Sequence, residues 1–207
     1  MADYKDYGFN NNNATYVHGY IAKPVLNLLH PKVNKNILDV GCGNGALVKF
    51  FVENGYNAYG TDASESGIKL ASEFDSNRFA VQDLSADDLP IKFENLNFDT
   101  ITSTEVIEHL YDPRKFITFC KRILVKNGGG EIILTTPYHG YIKNLLISFT
   151  GKWDKHANPL WDGGHIKLWS KKTLSQLLIE QGFTVTDFVG CGRIPYVWKS
   201  MIIKAKI

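Results

Sequence analysis

A chain of 207 residues is long enough to bury a sizeable core within one domain of ordinary size. With 44% hydrophobic and 21% charged residues it has a globular make-up, and 23 basic against 21 acidic side chains leave a net charge of +2, which gives no case for a dedicated nucleic-acid surface. No apolar run approaches the ~20 residues of a membrane span. No secretory signal pattern opens the chain, and three scattered cysteines, Cys42, Cys120 and Cys191, do not suit a disulfide framework; the expected compartment is the reducing cytoplasm.

Residues 1–14 are polar and asparagine-rich, and are expected to form a loose leader that orders over a bound ligand. Residues 15–30 carry Val17, Ile21, Val25, Leu28 and Leu29 at helical spacing, interrupted by Pro24, which predicts two short helices over a cleft. Leader and cap helices make up residues 1–35, and the main domain runs from 36 to 207. It opens on a buried strand, Ile37, Leu38 and Val40, that ends in Gly41, Gly43 and Gly45 and enters a helix through Ala46 and Leu47. Glycines there permit a tight turn and close approach of a ligand, and the following helix N-terminus offers unpaired N–H groups. A nucleotide-like cofactor is implied. The loop also satisfies the dinucleotide fingerprint GxGxxA, but Asp39 inside the strand suits a ligand with an ammonium group rather than a pyrophosphate.

Residues 57–61 predict a second strand closed by Asp62, which lies about 20 positions beyond Gly41, the ~20-residue offset at which an acidic side chain reaches ribose hydroxyls. The alternative role for Asp62 is N-cap of a helix over 64–74. A third strand over 78–82 ends at Asp83, and residues 98–103 form a fourth. Residues 104–111 read as the turn into a helix, on which Glu105, Glu108 and His109 would share one face. Asp112-Pro113 then starts a helix over 114–125, stopped by Asn127 and three glycines. Residues 131–136 are a fifth buried strand, 171–181 a further helix, and 183–189 and 197–207 a final antiparallel pair joined by a tight turn near residues 191–195. The expected fold is α/β: a Rossmann-like, doubly wound, mainly parallel seven-stranded sheet with an antiparallel last strand and helices on both faces.

Between the fifth strand and the last helix, residues 137–170 leave from the carboxyl end of a strand, where ligands of α/β sheets sit. Ile142, Leu145, Leu146 and Phe149 fall on one face of a short helix, which either packs on the domain or forms a lid or membrane-touching surface. Three of the four tryptophans and three of the six histidines lie here. The segment is expected to be a lid that chooses the substrate.

The run Asp39-Val40-Gly41-Cys42-Gly43-Asn44-Gly45 resembles the first motif of class I S-adenosylmethionine (SAM) dependent methyltransferases. That resemblance implies a cofactor site of Asp39, Gly41, Cys42, Gly43, Gly45, Asp62, Ala63, Asp83, Leu84 and Ser103, with Asp83 accepting from the adenine amino group and Leu84 beside the ring. Residues 105–110 resemble the same region of quinone-biosynthesis O-methyltransferases. They are also similar to small-RNA 3′-end 2′-O-methyltransferases, in which Glu-x-x-Glu-His and a later histidine hold a metal; here that histidine would be His165. The resemblance implies catalytic roles for His109, His165 and Glu105, and a divalent cation such as Mg²⁺ on Glu105, Glu108, His109 and His165. The cluster can equally be a polar helix start. The expected activity is methyl transfer to a small-molecule hydroxyl, against RNA 2′-O-methylation, a nicotinamide dehydrogenase or a SAM-binding regulator without turnover.

Overall fold

The computed structural model describes residue 6, residues 8–84 and residues 88–207; positions 1–5 and 7 of the expected leader, and 85–87, lie outside the described residues. Seven strands, β1 (Asn36–Val40), β2 (Asn57–Asp62), β3 (Phe79–Val81), β4 (Thr100–Thr104), β5 (Glu131–Pro137), β6 (Thr184–Cys191) and β7 (Ser200–Lys206), form one sheet in the order β3-β2-β1-β4-β5-β7-β6. β1 to β5 pair in parallel, while β7 runs antiparallel to both β5 and β6. The reversed last strand and the doubly wound order are as the sequence pattern predicts.

Alternation along the strands distributes the core between the two faces. Leu38, Val40, Ile132, Leu134, Met201 and Ile203 join Phe116, Ile117 and Leu124 of α4 (Pro113–Lys126) and Leu174 and Leu178 of α7 (Lys171–Glu180). Ile37, Ile133 and Ile202 face the other way, toward Ile21 and Val25 of α1 (His18–Leu28), Leu47, Val48 and Phe51 of α2 (Ala46–Glu53), and Ile68 and Ala71 of α3 (Glu65–Asp75). Asp39 shares the Ile37 side.

Three local expectations are corrected. The cap region is one helix, with Pro24 inside it, rather than two; Ile21 and Val25, either side of the proline, are both fully buried, and their packing offsets the ~3 kcal/mol that an interior proline opposes to a helix. Residues 104–111 are not a helix: β4 runs on to Thr104, Glu105 takes a left-handed φ of 55°, and only a 3₁₀ turn, Ile107–His109, follows. The final strand begins at Ser200, so residues 192–199 form a longer connection than a tight turn.

Below β1 and β4, fully buried Asn34 clamps the start of the sheet: its amide donates to Thr100 Oγ1 (2.8 Å) and Glu131 Oε2 (2.5 Å), and its carbonyl accepts from His30 N (2.6 Å). Replacing Asn34 by Ala leaves those partners unsatisfied, at about 1–3 kcal/mol. Thermal unfolding should show a Tm lowered by roughly 2–4 °C for each kcal/mol lost.

Candidate active site

The glycine turn is fastened before any ligand arrives. Gly41 N and Cys42 N both donate to the Thr61 carbonyl at the end of β2 (2.7 and 3.0 Å), and Gly43 N donates to Asp62 Oδ2 (2.7 Å). Gly41, Gly43 and Gly45 have φ of 83°, 54° and 75°, the left-handed region that favours glycine. A Cβ on Gly41 would collide with Val106, which places the residues just after β4 against the turn. Asp62 accepts Ser64 N on its other oxygen (2.8 Å) and so is held rigid. Ser64, not Asp62, is the N-cap of α3.

Asp39 is 1% exposed, with Oδ1 accepting from Thr102 Oγ1 (2.7 Å) and Oδ2 without a partner. Burial, opposed by the Thr102 bond, raises its pKa to about 7. Ala63 and Leu84 are half-buried and Asp83 is exposed, along the carboxyl ends of β2 and β3. Ser103 is turned away: its hydroxyl donates to the Val40 carbonyl (2.7 Å) and braces β1. Ser64 and Ser66 donate to Asp6. Phe9 lies 2.8 Å from where a Cβ on Gly43 would stand, and Asn44 Nδ2 donates to the carbonyls of Asn11 and Asn13 (2.9 Å each). Described leader residues are therefore fastened to the turn by their own contacts, which the asparagine-rich composition did not reveal.

At the ends of β4 and β5 the acidic and histidine groups sort differently from the expected helix face. Glu105 turns toward Thr135 and Ser200, whose hydroxyls donate to it (2.8 and 3.1 Å), and burial raises its pKa to about 7. Glu108, 1% exposed, instead meets His109 Nε2 and His165 Nε2, each 4.0 Å from its Oε1. The insertion is carried there by backbone: Ile166 N and Lys167 N donate to the Glu108 carbonyl (2.9 and 3.0 Å), and Trp169 Nε1 donates to the Ile107 carbonyl (3.3 Å). Glu108, His109 and His165 can each turn one ligand atom to within 4.8 Å of the others; Glu105 is not among them.

His109 Nδ1 lies 2.7 Å from the Gly163 carbonyl, which can only accept. Nδ1 therefore carries the proton, and a neutral His109 keeps its Nε2 lone pair toward Glu108. Burial and then the neighbouring His109 imidazole lower the pKa of His165 to about 4, so it too offers a lone pair. Neither Glu108 oxygen has a hydrogen bond of good geometry, Thr136 being its nearby hydroxyl, and burial and then Glu105 push its pKa well above the ordinary value of 4.5. Two imidazole lone pairs and an uncompensated carboxyl fit a divalent cation, which would restore the missing charge.

The insertion holds a surprise in α5 (Tyr141–Phe149). Its apolar residues Ile142, Leu145, Leu146 and Phe149 face outward rather than packing on the domain, the latter being one of the two alternatives for this face, and Lys143 is the buried residue. Thr136 near the end of β5 and His139 just after it are both buried, with Glu108 and Asn144 as their respective side-chain neighbours. His156 of α6 (Trp153–Ala157) stacks edge-on to His139 at 5.1 Å. Helical periodicity assigns Lys143 to the solvent side, so no sequence signal singled it out.

A glycine turn between β1 and α2, an acidic residue closing β2 and a reversed β7 define the class I SAM-dependent methyltransferase architecture. The structure superposes on magnesium protoporphyrin IX methyltransferase from Synechocystis PCC 6803, solved with bound SAH, with a TM-score of 0.67 over 97% of this chain and 90% of that one, at 17% identity. The chain belongs to the methyltransferase domain family, which matches residues 14–187. It is similar to the ubiquinone biosynthesis O-methyltransferase of Thiobacillus denitrificans, 36% identical over 164 residues covering 77% of this chain and 69% of that protein. It is also similar to the protein of the same description from Psychrobacter arcticus, at 28% identity over 163 residues, 75% of this chain and 62% of that one. Across such relatives the chain spans 42% to 69% of their length.

Because the folded-state pKa of Glu108 lies above its unfolded value, the native chain holds that proton more tightly. Stability present below about pH 4.5 is therefore lost as pH rises toward the folded value. In chelator, Glu108→Gln should raise Tm at pH 8 by roughly 2 °C or more and leave it nearly unchanged at pH 4.5. A Tm difference independent of pH would remove the buried carboxyl from this role.

Proposed function

We propose that the chain is a SAM-dependent methyltransferase that methylates a hydroxyl of a small-molecule acceptor in the cytoplasm. The observation that carries this reading is the contact of Val106, just after β4, with Gly41 of the glycine turn, in the same segment as Glu105 and Glu108, with His165 of the insertion brought to Glu108. SAM, when bound, supplies a methyl group already activated on a sulfonium, so the protein's part is to align the oxygen and manage its proton.

In this reading Asp39, through its bare oxygen, faces the ammonium end of the cofactor. Asp62, with both oxygens already fixed by backbone N–H groups, keeps lone pairs for ribose hydroxyls, and Gly41, Cys42, Gly43 and Gly45 give the close backbone approach. Ala63, Asp83 and Leu84 line the adenine end, and Ser103 acts by holding β1. Glu108, His109 and His165 would hold a divalent cation such as Mg²⁺ that polarises the acceptor oxygen. Glu105 stands apart from that set, as a carboxyl near neutrality beside the acceptor.

Residues 1–35, including the described part of the leader, serve as the cap, and residues 137–170 serve as the acceptor lid of the domain from 36 to 207. The description shared by the relatives, ubiquinone biosynthesis O-methyltransferase, supports an oxygen acceptor. A net charge of +2 favours a small-molecule acceptor over RNA. No helix among the described residues is long and apolar enough to cross a membrane.

Incubation with methyl-labelled SAM and a panel of aromatic diols should yield labelled methyl ether, whereas a SAM-binding regulator would bind cofactor and yield none. Asp62→Ala should weaken SAM binding by roughly 1–3 kcal/mol, the loss of a charged acceptor for hydroxyls. Unchanged affinity in calorimetry would take Asp62 out of the site. Chelator should abolish transfer and Mg²⁺ or Mn²⁺ restore it; activity indifferent to chelator would leave the histidines without a metal role.

A further inference from the structure

Helix α5 inverts the usual arrangement: four of its apolar side chains are at least 45% exposed, while the charged Lys143 is only 5% exposed. An ammonium has three N–H donors. Among the described residues, its hydrogen-bonding partner is the Lys199 carbonyl, 3.2 Å from Nζ. A strut between α5 and the start of β7 needs no charge, and burying one without an ion-paired partner is opposed by several kcal/mol. The charge has to answer to something that arrives.

The groups around it describe what that is. Glu105 comes from the end of β4, His139 from the exit of β5, His156 from α6, His165 from the insertion and Arg193 from the connection after β6, and each of them interacts electrostatically with Lys143. Buried Glu108 and His139 have Thr136 and Asn144 as side-chain neighbours, and two of the three Lys143 donors are left for polar groups of a ligand. Burial and then Arg193, opposed by Glu105, bring the Lys143 pKa down to about 8, and the side chain is still mostly cationic at pH 7. The histidines, with His139 and His165 near 4, add no competing charge at that pH.

We propose that Lys143 is the oxyanion-binding residue of the acceptor site, holding the deprotonated form of the hydroxyl that is to be methylated. This rests on the O-methyltransferase reading. The hydroxyl loses its proton to water; the oxygen's lone pair forms the new C–O bond while the C–S bond of the sulfonium breaks and its electron pair stays on sulfur. Lys143 supplies the charge that keeps the oxygen ionised at neutral pH.

The test uses 4-nitrocatechol, whose phenolate absorbs in the visible, bound to the full chain saturated with S-adenosylhomocysteine and in chelator, so that no cation contributes. On the native protein the bound probe should ionise at a pH about one unit lower than in water, the lower end of the shift given by an opposite charge within ~4–6 Å. Lys143→Gln, which can still donate to the Lys199 carbonyl, should abolish that tenfold change in ionisation constant, and Lys143→Arg should keep most of it. An equal shift in Lys143→Gln, or no binding of the probe to the native protein, would overturn the proposal. If Lys143→Gln does not fold, Lys143→Met takes its place, since it fills the same buried volume without charge. A parallel assay of labelled methyl transfer to the probe, run with SAM and Mg²⁺ in place of S-adenosylhomocysteine and chelator, separates the two readings: a shifted pKa without product defeats the methyltransferase reading alone, and product without a Lys143-dependent shift defeats the oxyanion role alone.

Discussion

A carboxyl buried in a central strand is the constraint on which the active end of this molecule depends. Asp39 sits between β2 and β4, one oxygen bound to Thr102 and the other bound to nothing. An orphaned acceptor of this kind opposes folding by about 1–3 kcal/mol, and burial holds its pKa near 7. Val40 follows it into the core, and Gly41 leaves the strand with a φ of 83°. Strand, bare carboxyl oxygen and exposed backbone therefore end at one place. The stability forgone at Asp39 is the local conflict expected of a binding site rather than of a core.

The same logic governs the facing strands. Glu105 takes a left-handed φ, uncommon for a residue with a Cβ, and that kink separates it from Glu108 while bringing Val106 against Gly41. Glu108 then receives the insertion on its backbone carbonyl and the two imidazoles near its side chain. Histidines far apart in the chain meet because the segment between them is fastened at 163–169 by ordinary backbone and indole hydrogen bonds.

Much of this was legible in the sequence. Strand runs of Ile, Leu and Val, glycine punctuation and the Asp112-Pro113 helix start carry local signals strong enough to give the sheet and its reversed last strand. The offset from Gly41 singled out Asp62, which the structure fastens to the glycine turn through Gly43 N. What was not legible has a common cause: it depends on tertiary contacts that override local pattern. Pro24 reads as a helix break, yet the burial of Ile21 and Val25 carries the helix through it. Residues 105, 108 and 109 have helical spacing, yet β4 extends far enough to leave room for only a 3₁₀ turn. The stripe of α5 has an apolar face that a helical wheel favours burying, yet it is Lys143 that is buried and the stripe that is exposed.

The most direct test of Asp39 as the group that receives the cofactor's ammonium is proton release on binding. A carboxyl with a pKa of about 7 in the free protein is partly protonated at pH 7, and an ammonium docking beside its bare oxygen must expel that proton. Calorimetry of S-adenosylhomocysteine binding at pH 7, repeated in buffers of differing ionisation enthalpy, should show an apparent enthalpy that changes with buffer in the native protein and ceases to do so in Asp39→Asn. An enthalpy independent of buffer in the native protein, or the same buffer dependence in Asp39→Asn, would contradict that assignment.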